Sequence, residues 1–167
     1  MSEPADDTLN DVGVLKRREI EARMVGPLLA RLATEFGDGV YDVARDTIVD
    51  IAREQGAALA DQMGGDSLAD FARGLAAWSA GGALETEEIE LADGSFSFDV
   101  VRCRYAELYR SLGLADLGAT LSCNRDGALV EGFNPNVELT RTQTIMGGAS
   151  HCDFRFRARG TPVDVSR

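Results

Sequence analysis

The residues with the most chemistry per position lie between Glu138 and Phe156, in the run ELTRTQTIMGGASHCDFRF. It holds Arg141, Gln143, Thr144, the only histidine, His151, and then Cys152 and Asp153, in two β-like stretches joined by Gly147-Gly148. A guanidinium suits a forked grip on a carboxylate. Histidine moves protons near neutral pH, and a cysteine can attack an electrophilic carbon. Just upstream, SCNRD adds Cys123 and Asp126. A thiol or carboxylate from that segment could meet His151 as a nucleophile or an acid/base pair.

These side chains need a scaffold that aims them. If Gly147 to Ser150 form a four-residue turn, Ile145 lies opposite Cys152, Gln143 opposite Phe154, and Arg141 opposite Phe156. Cys152, Phe154 and Phe156 are the apolar alternates and belong inside, so Arg141 and Gln143 face inward with them. A buried guanidinium needs a partner, either Asp126 or the anion of a ligand. Thr140, Thr142, Thr144, Asp153, Arg155 and Arg157 form the outward, solvated ladder. Neighbours on a strand point apart, so His151 and Cys152 cannot pair with each other.

The preceding chain reads as helices and then strands. Ile20, Met24, Leu28, Leu32 and Phe36 recur every four residues and define the expected core face of a first helix, with a kink or fresh start at Gly26-Pro27 and an end at Gly37. Val40, Ala44, Ile48, Ile51, Ala52 and Leu59 define a second, closed by Gly64-Gly65. A third, capped by Asp66 or Ser67, buries Leu68, Phe71 and Trp78. From Ile89 the period becomes two, and Asp93-Gly94 marks a hairpin turn. A short helix from Cys103 carries Tyr109 and ends at Gly113. Ser122 to Asn136 is rich in turn formers and reads as a long loop around at most one short strand. The order predicts an α+β fold, N-terminal helices packed on one face of a small antiparallel sheet built from two hairpins. Residues 1–13 form a disordered lead, 14–159 one domain, and 160–167 a tail.

Composition narrows the partners. The 167 residues carry a net charge of −11, which disfavours nucleic acid and anionic membranes. From Arg102 onward nine arginines face seven acids, so the first 101 residues hold a net −13 and the chemistry-bearing part is locally basic. A small anionic ligand fits that asymmetry. Cys103, Cys123 and Cys152 have no CxxC spacing, the acidic opening lacks a secretory h-region, and no apolar run could span a bilayer. A reducing, cytoplasmic setting with free thiols follows as the expectation. Three dispersed cysteines and one histidine lack zinc-site spacing, so neither metal nor other cofactor is expected. Nucleotide-loop, GxSxG and HExxH motifs are missing. The chain is compatible with a homo-oligomer.

Four segments, RREIEARMVGPLLARLATEFG (17–37), CRYAELYRSLGLADLG (103–118), LSCNRD (121–126) and RTQTIMGGASHCDFRF (141–156), together resemble the L-2-amino-thiazoline-4-carboxylic acid hydrolase family of small bacterial proteins. The resemblance implies ring-opening hydrolysis of a cyclic amidine, imide or thiazoline bearing a carboxylate. Its matching positions here are Cys103, Cys123, Asp126, Arg141, Thr144, Cys152 and Asp153. In that setting Arg141 would anchor the carboxylate, Cys123 and Asp126 would supply nucleophile or acid/base, and His151 or Asp126 would protonate the leaving thiolate. Gln143 and Tyr109 complete the expected binding set. GGASHCDFRF is also similar to the closing segment of four-vinyl-reductase-type ligand-binding domains, which implies the alternative of a non-catalytic sensor with a cysteine-lined pocket.

Overall fold

A computed structural model describes residues 12–160, so the expected lead and tail fall for the most part outside the described residues. Three helices come first: α1 (Val14–Phe36), α2 (Gly39–Met63) and α3 (Leu68–Ser79). A hairpin follows, β1 (Leu84–Ala92) and β2 (Ser95–Cys103), then α4 (Arg104–Ser111), α5 (Ala115–Gly118), a π-helical turn (Ala119–Cys123) and α6 (Asn124–Phe133). The chain closes with β3 (Val137–Thr140) and β4 (Cys152–Ala158). The four strands form one antiparallel sheet in the order β1-β2-β4-β3. This is the expected α+β class. No helix among the described residues is long and apolar enough to cross a membrane.

Strand alternation builds the core. Phe96, Phe98 and Val100 of β2 pair in register with Phe156, Phe154 and Cys152 of β4, and all six are buried. Phe98 and Phe154 stack at 4.8 Å, and α3 and α6 add Phe71 and Phe133 from above. Each phenylalanine so buried contributes about 1.5–3 kcal/mol. The third helix starts where the sequence placed it, with Ser67 and Asp70 forming a reciprocal capping box.

Four expectations are corrected. The four-residue stripe of α1 does not face the core: Ile20, Met24, Leu28 and Phe36 are exposed, and the buried face is Ala22, Gly26 and Leu29. Small residues let α1 sit close to its neighbours, and Leu114 packs where a side chain at Gly26 would be. Nor does Gly26-Pro27 break the helix, which runs through Pro27. The clash that normally excludes a helical residue before proline involves that residue's Cβ, which Gly26 lacks.

The expected 122–136 loop is largely helix α6. Its glycines, which read as turn formers, are packing devices. A Cβ on Gly132 would lie 1.9 Å from the Arg53 carbonyl of α2, and one on Gly56 would lie 2.0 Å from the Leu129 carbonyl of α6. The two helices therefore touch backbone to backbone.

The final pair of strands is joined by eleven residues, 141–151, and not by a four-residue turn. Leu139 pairs with Phe156 and Thr140 with Arg155, a shift of two from the expected register. Because the side-chain period is two, the shift leaves every paired residue on its expected face. Continuing that register puts Arg141 beside Phe154, and its guanidinium lies 5.0 Å from the Phe154 ring centre. The connection is ordered by its own hydrogen bonds. Gly147 N–H donates to Thr144 Oγ1, and Ala149 N–H to the Thr144 carbonyl.

Candidate functional site

Where the inner ends of β2, β4 and α6 converge, a cavity of about 100 Å³ opens between the sheet and the helices. Its apolar walls come from Trp78, Leu84, Val100, Leu129 and Phe154. All three cysteines line it, together with Asp126 and Arg141. The sequence thus placed five of its candidates in one space, although they come from four separate elements and the loop between β3 and β4.

The centre of the site is an ion pair. Asp126 sits in the first turn of α6, and Arg141 Nη1 donates to its Oδ2. Arg141 Nη2 donates to the Cys123 carbonyl at 3.1 Å. The side chains retain only 16 % and 24 % exposure for Arg141 and Asp126. Burial pushes the Asp126 carboxyl above the ordinary carboxylate range, against the pull of Arg141. Arg141 is held charged: burial opposes its charge, and Asp126 outweighs that.

The thiols are the opposite of activated. Burial pushes Cys123 up to about 12, and the neighbouring Asp126 carboxylate adds to the effect. Cys103, at the N-cap of α4, is raised by burial despite the Ala106 backbone N–H nearby. Cys152 is likewise raised by burial, and its sulfur accepts from Ile145 N–H at 3.2 Å. Nucleophilic cysteines need the thiolate, and none of these surroundings favours it. No group of three metal-ligating side chains comes together among the described residues.

Five expected residues lie elsewhere. His151 does not line the cavity: on the polar face of the sheet its Nε2 is 3.6 Å from Asp99 Oδ2, and Ser150 Oγ is 3.0 Å from Nδ1. Its proposed meeting with Cys123 or Asp126 fails for the reason that separates it from Cys152, since strand neighbours point apart. Gln143 does not line the cavity either: its amide nitrogen sits 2.8 Å from His151 Nε2. It lies past the end of β3, where alternation no longer governs its direction. Asp153 ties the end of β3 to β4 by accepting from Thr142 N–H and Oγ1 and from Gln143 N–H. Burial would raise this carboxyl, but those hydrogen bonds outweigh it and hold it below the ordinary range. Thr144 spends its hydroxyl on the Gly147 turn. Tyr109 is fully buried in a second apolar cluster with Ala22, Leu29 and Leu121, its hydroxyl pushed up to about 12 by burial.

Sequence reasoning missed Arg18, Arg125 and Tyr105, which all line the cavity. Tyr105 follows the Cys103 cap and donates its hydroxyl to the Trp78 carbonyl at 3.3 Å. Arg125 adjoins Asp126 in the motif already singled out. Arg18 lies four residues before Ala22 on the face of α1 that proves to be buried, and a charge on a buried stripe is a signal. It was obscured because the wrong stripe looked apolar.

The chain matches the L-2-amino-thiazoline-4-carboxylic acid hydrolase family over residues 17–156. It belongs to that family. The match spans α1 to β4 and contains every residue of the cavity except Val14. No curated protein matches the chain. Among solved structures, the trafficking protein particle complex subunit 3 from Naegleria fowleri, covalently bound to palmitic acid, shares 14 % identity with a TM-score of 0.51, over 89 % of this chain and 98 % of that one. The phenol-responsive sensory domain of the transcription activator PoxR, solved with phenol, shares 12 % identity with a TM-score of 0.54, over 87 % of this chain and 76 % of that one. At such identities the likeness is one of fold. Family membership and the cavity are therefore the observations from which an activity is argued.

Proposed function

We propose that the protein hydrolyses a small carboxylate-bearing heterocycle of the cyclic amidine or thiazoline type, with water as nucleophile and Asp126 as the proton donor. The observation that carries this reading is the Asp126–Arg141 pair facing an apolar-walled cavity, its carboxyl raised by burial, in a chain of the thiazoline hydrolase family. A carboxyl raised by burial keeps its proton to higher pH than a free one and can release it in the transition state. In a 2-aminothiazoline, water adds to the ring carbon between nitrogen and sulfur. The carbon–sulfur bond then breaks, the carbon becomes a urea, and the departing sulfur takes a proton from Asp126. Water supplies both hydrogens that the products gain, so Asp126 is reprotonated and the cycle closes. Arg141 fixes the carboxyl in place through its second contact with the Cys123 carbonyl.

This assigns Cys123 a passive role. A thiol pushed up to about 12 is almost wholly protonated at neutral pH, so it shapes the cavity and does not attack. Ring opening of 2-aminothiazoline-4-carboxylate, followed by loss of ultraviolet absorbance and appearance of free thiol, tests the activity. Turnover that survives Cys123→Ser and disappears in Asp126→Asn is the expected pattern. A full panel of cyclic amidine, imide and lactam acids left intact by the wild-type protein would refute hydrolysis.

A second reading is a binding or sensing domain. It draws on the three protonated thiols in an apolar wall, and on the phenol held by the similarly folded sensory domain. Under that reading phenolic or other apolar ligands bind without being consumed.

A further inference from the structure

Arg18 of α1 and Arg125 of α6 line the cavity with 14 % and 12 % of their side chains exposed, and both reach the same carboxylate oxygen. Arg18 Nη1 lies 2.6 Å from Glu21 Oε2, and Arg125 Nη2 lies 3.3 Å from it. Arg125 Nε is fixed on the Leu121 carbonyl at 3.1 Å, four residues back across the π-helical turn. Glu21 itself is 44 % exposed and does not line the cavity. One half-exposed carboxylate is shared between two largely buried cations, each with five N–H donors.

The charge balance points the same way. Among the described residues three guanidiniums line the cavity, and the carboxylates they pair with are Asp126 and Glu21. One positive charge is left over among these five groups when Asp126 is ionised, and two when it carries its proton. Arg141 cannot be the group in need of an anion, because Asp126, the Cys123 carbonyl and the Phe154 ring already hold it. The deficit belongs to Arg18 and Arg125. Burial, and then the nearby Arg18 charge, lowers the pKa of Arg125, so an added anion relieves both.

We propose that Arg18 and Arg125 form the anion subsite of the cavity, binding the single carboxylate of a compact, otherwise apolar substrate, with Glu21 as the resident counter-ion that this carboxylate relieves. The chemical identity of that substrate rests on the hydrolase reading above; the anion preference itself does not. The subsite moves the carboxylate clamp away from Arg141, where the sequence placed it, and frees the Asp126–Arg141 pair for proton transfer.

The test compares 2-aminothiazoline-4-carboxylate with its neutral 4-carboxamide on the full chain, as Kd, or as KM where the ring opens. Wild type is expected to prefer the acid by about tenfold or more, the worth of one charge-assisted hydrogen bond. Arg18→Gln and Arg125→Gln should each abolish most of that preference while leaving amide binding within about threefold, which also shows that the variants are folded. Arg18→Lys should keep part of it, and Glu21→Gln should strengthen acid binding. If Arg125→Gln also loses the amide, Arg18→Gln and Glu21→Gln decide. The subsite is overturned if wild type shows no acid preference, if the preference survives both glutamine variants, or if Glu21→Gln weakens acid binding. Ring opening with an intact preference in Arg18→Gln would overturn the subsite and leave the hydrolase standing. A preference lost in Arg18→Gln, with no ring opened by wild type, would do the reverse.

Discussion

The two faces of the sheet meet similar polar residues and put them to opposite uses. On the inner face, Arg141 beside Phe154 pairs with Asp126 at the cavity, in surroundings that push the carboxyl up. On the outer face, Arg155 lies 2.7 Å from Asp99 Oδ1, and Asp153 collects N–H and O–H donors that hold its carboxyl down. Both regions contain an arginine and an aspartate. The difference lies in the donors: Asp153 is saturated by Thr142 and Gln143, while Asp126 has Arg141 alone against the cost of burial. Reactive chemistry follows the second condition.

Breaking the inner pair should have the largest effect. Asp126→Asn keeps the shape and removes the proton donor, so turnover should fall by about 10²–10⁴-fold while the thermal midpoint changes little. Equal kcat in mutant and wild type would move the chemistry elsewhere. Arg141→Met leaves Asp126 buried without its cation, and the expected loss is about 3–5 kcal/mol in urea titrations, toward the lower end because the carboxyl can take up a proton.

The two aspartates should also titrate stability in opposite directions. Asp126 is raised on folding, so its contribution is fully present below the unfolded carboxylate pKa and is lost as pH rises through the folded value. Asp153 is lowered, so its contribution is present above the unfolded pKa and is lost as pH falls through the folded value. Asp126→Asn should flatten the loss on the alkaline side of that window, and Asp153→Asn the loss on the acid side. Matching slopes in the two variants would erase the distinction between the faces. The smallest effect is expected from His151→Ala, which removes an exposed contact with Asp99, Gln143 and Ser150. Turnover should stay within about threefold, and a larger loss would put histidine back into the mechanism.

How much of this was legible in the sequence depends on which periodicity carried the information. Strand alternation survived a misjudged turn, because a register shift of two preserves faces; Arg141 and Cys152 were therefore aimed correctly from the wrong pairing. Beyond the end of β3 alternation lapses, and Gln143 went astray there. Helical periodicity failed in α1, where the larger side chains recur on the outer face and the buried stripe is built from Ala22 and Gly26. Arg18 was hidden by that inversion. Glycine was ambiguous in the same way: Gly94 marks a turn, whereas Gly132 permits helix contact that no local pattern announces. The Asp126–Arg141 pairing was foreseeable because a buried guanidinium requires a partner, but the shared grip of Arg18 and Arg125 on Glu21 depends on tertiary placement alone.

In the proposed mechanism the Asp126 carboxyl, and not a thiolate, does the chemistry. Its most direct test is kcat/KM against pH for ring opening of 2-aminothiazoline-4-carboxylate by wild type, Cys123→Ser and Asp126→Asn. The expected rate falls as pH rises through a raised carboxyl pKa, with the same profile in Cys123→Ser and a low, flat one in Asp126→Asn. A rate that climbs with pH into the thiol range and vanishes in Cys123→Ser would contradict it.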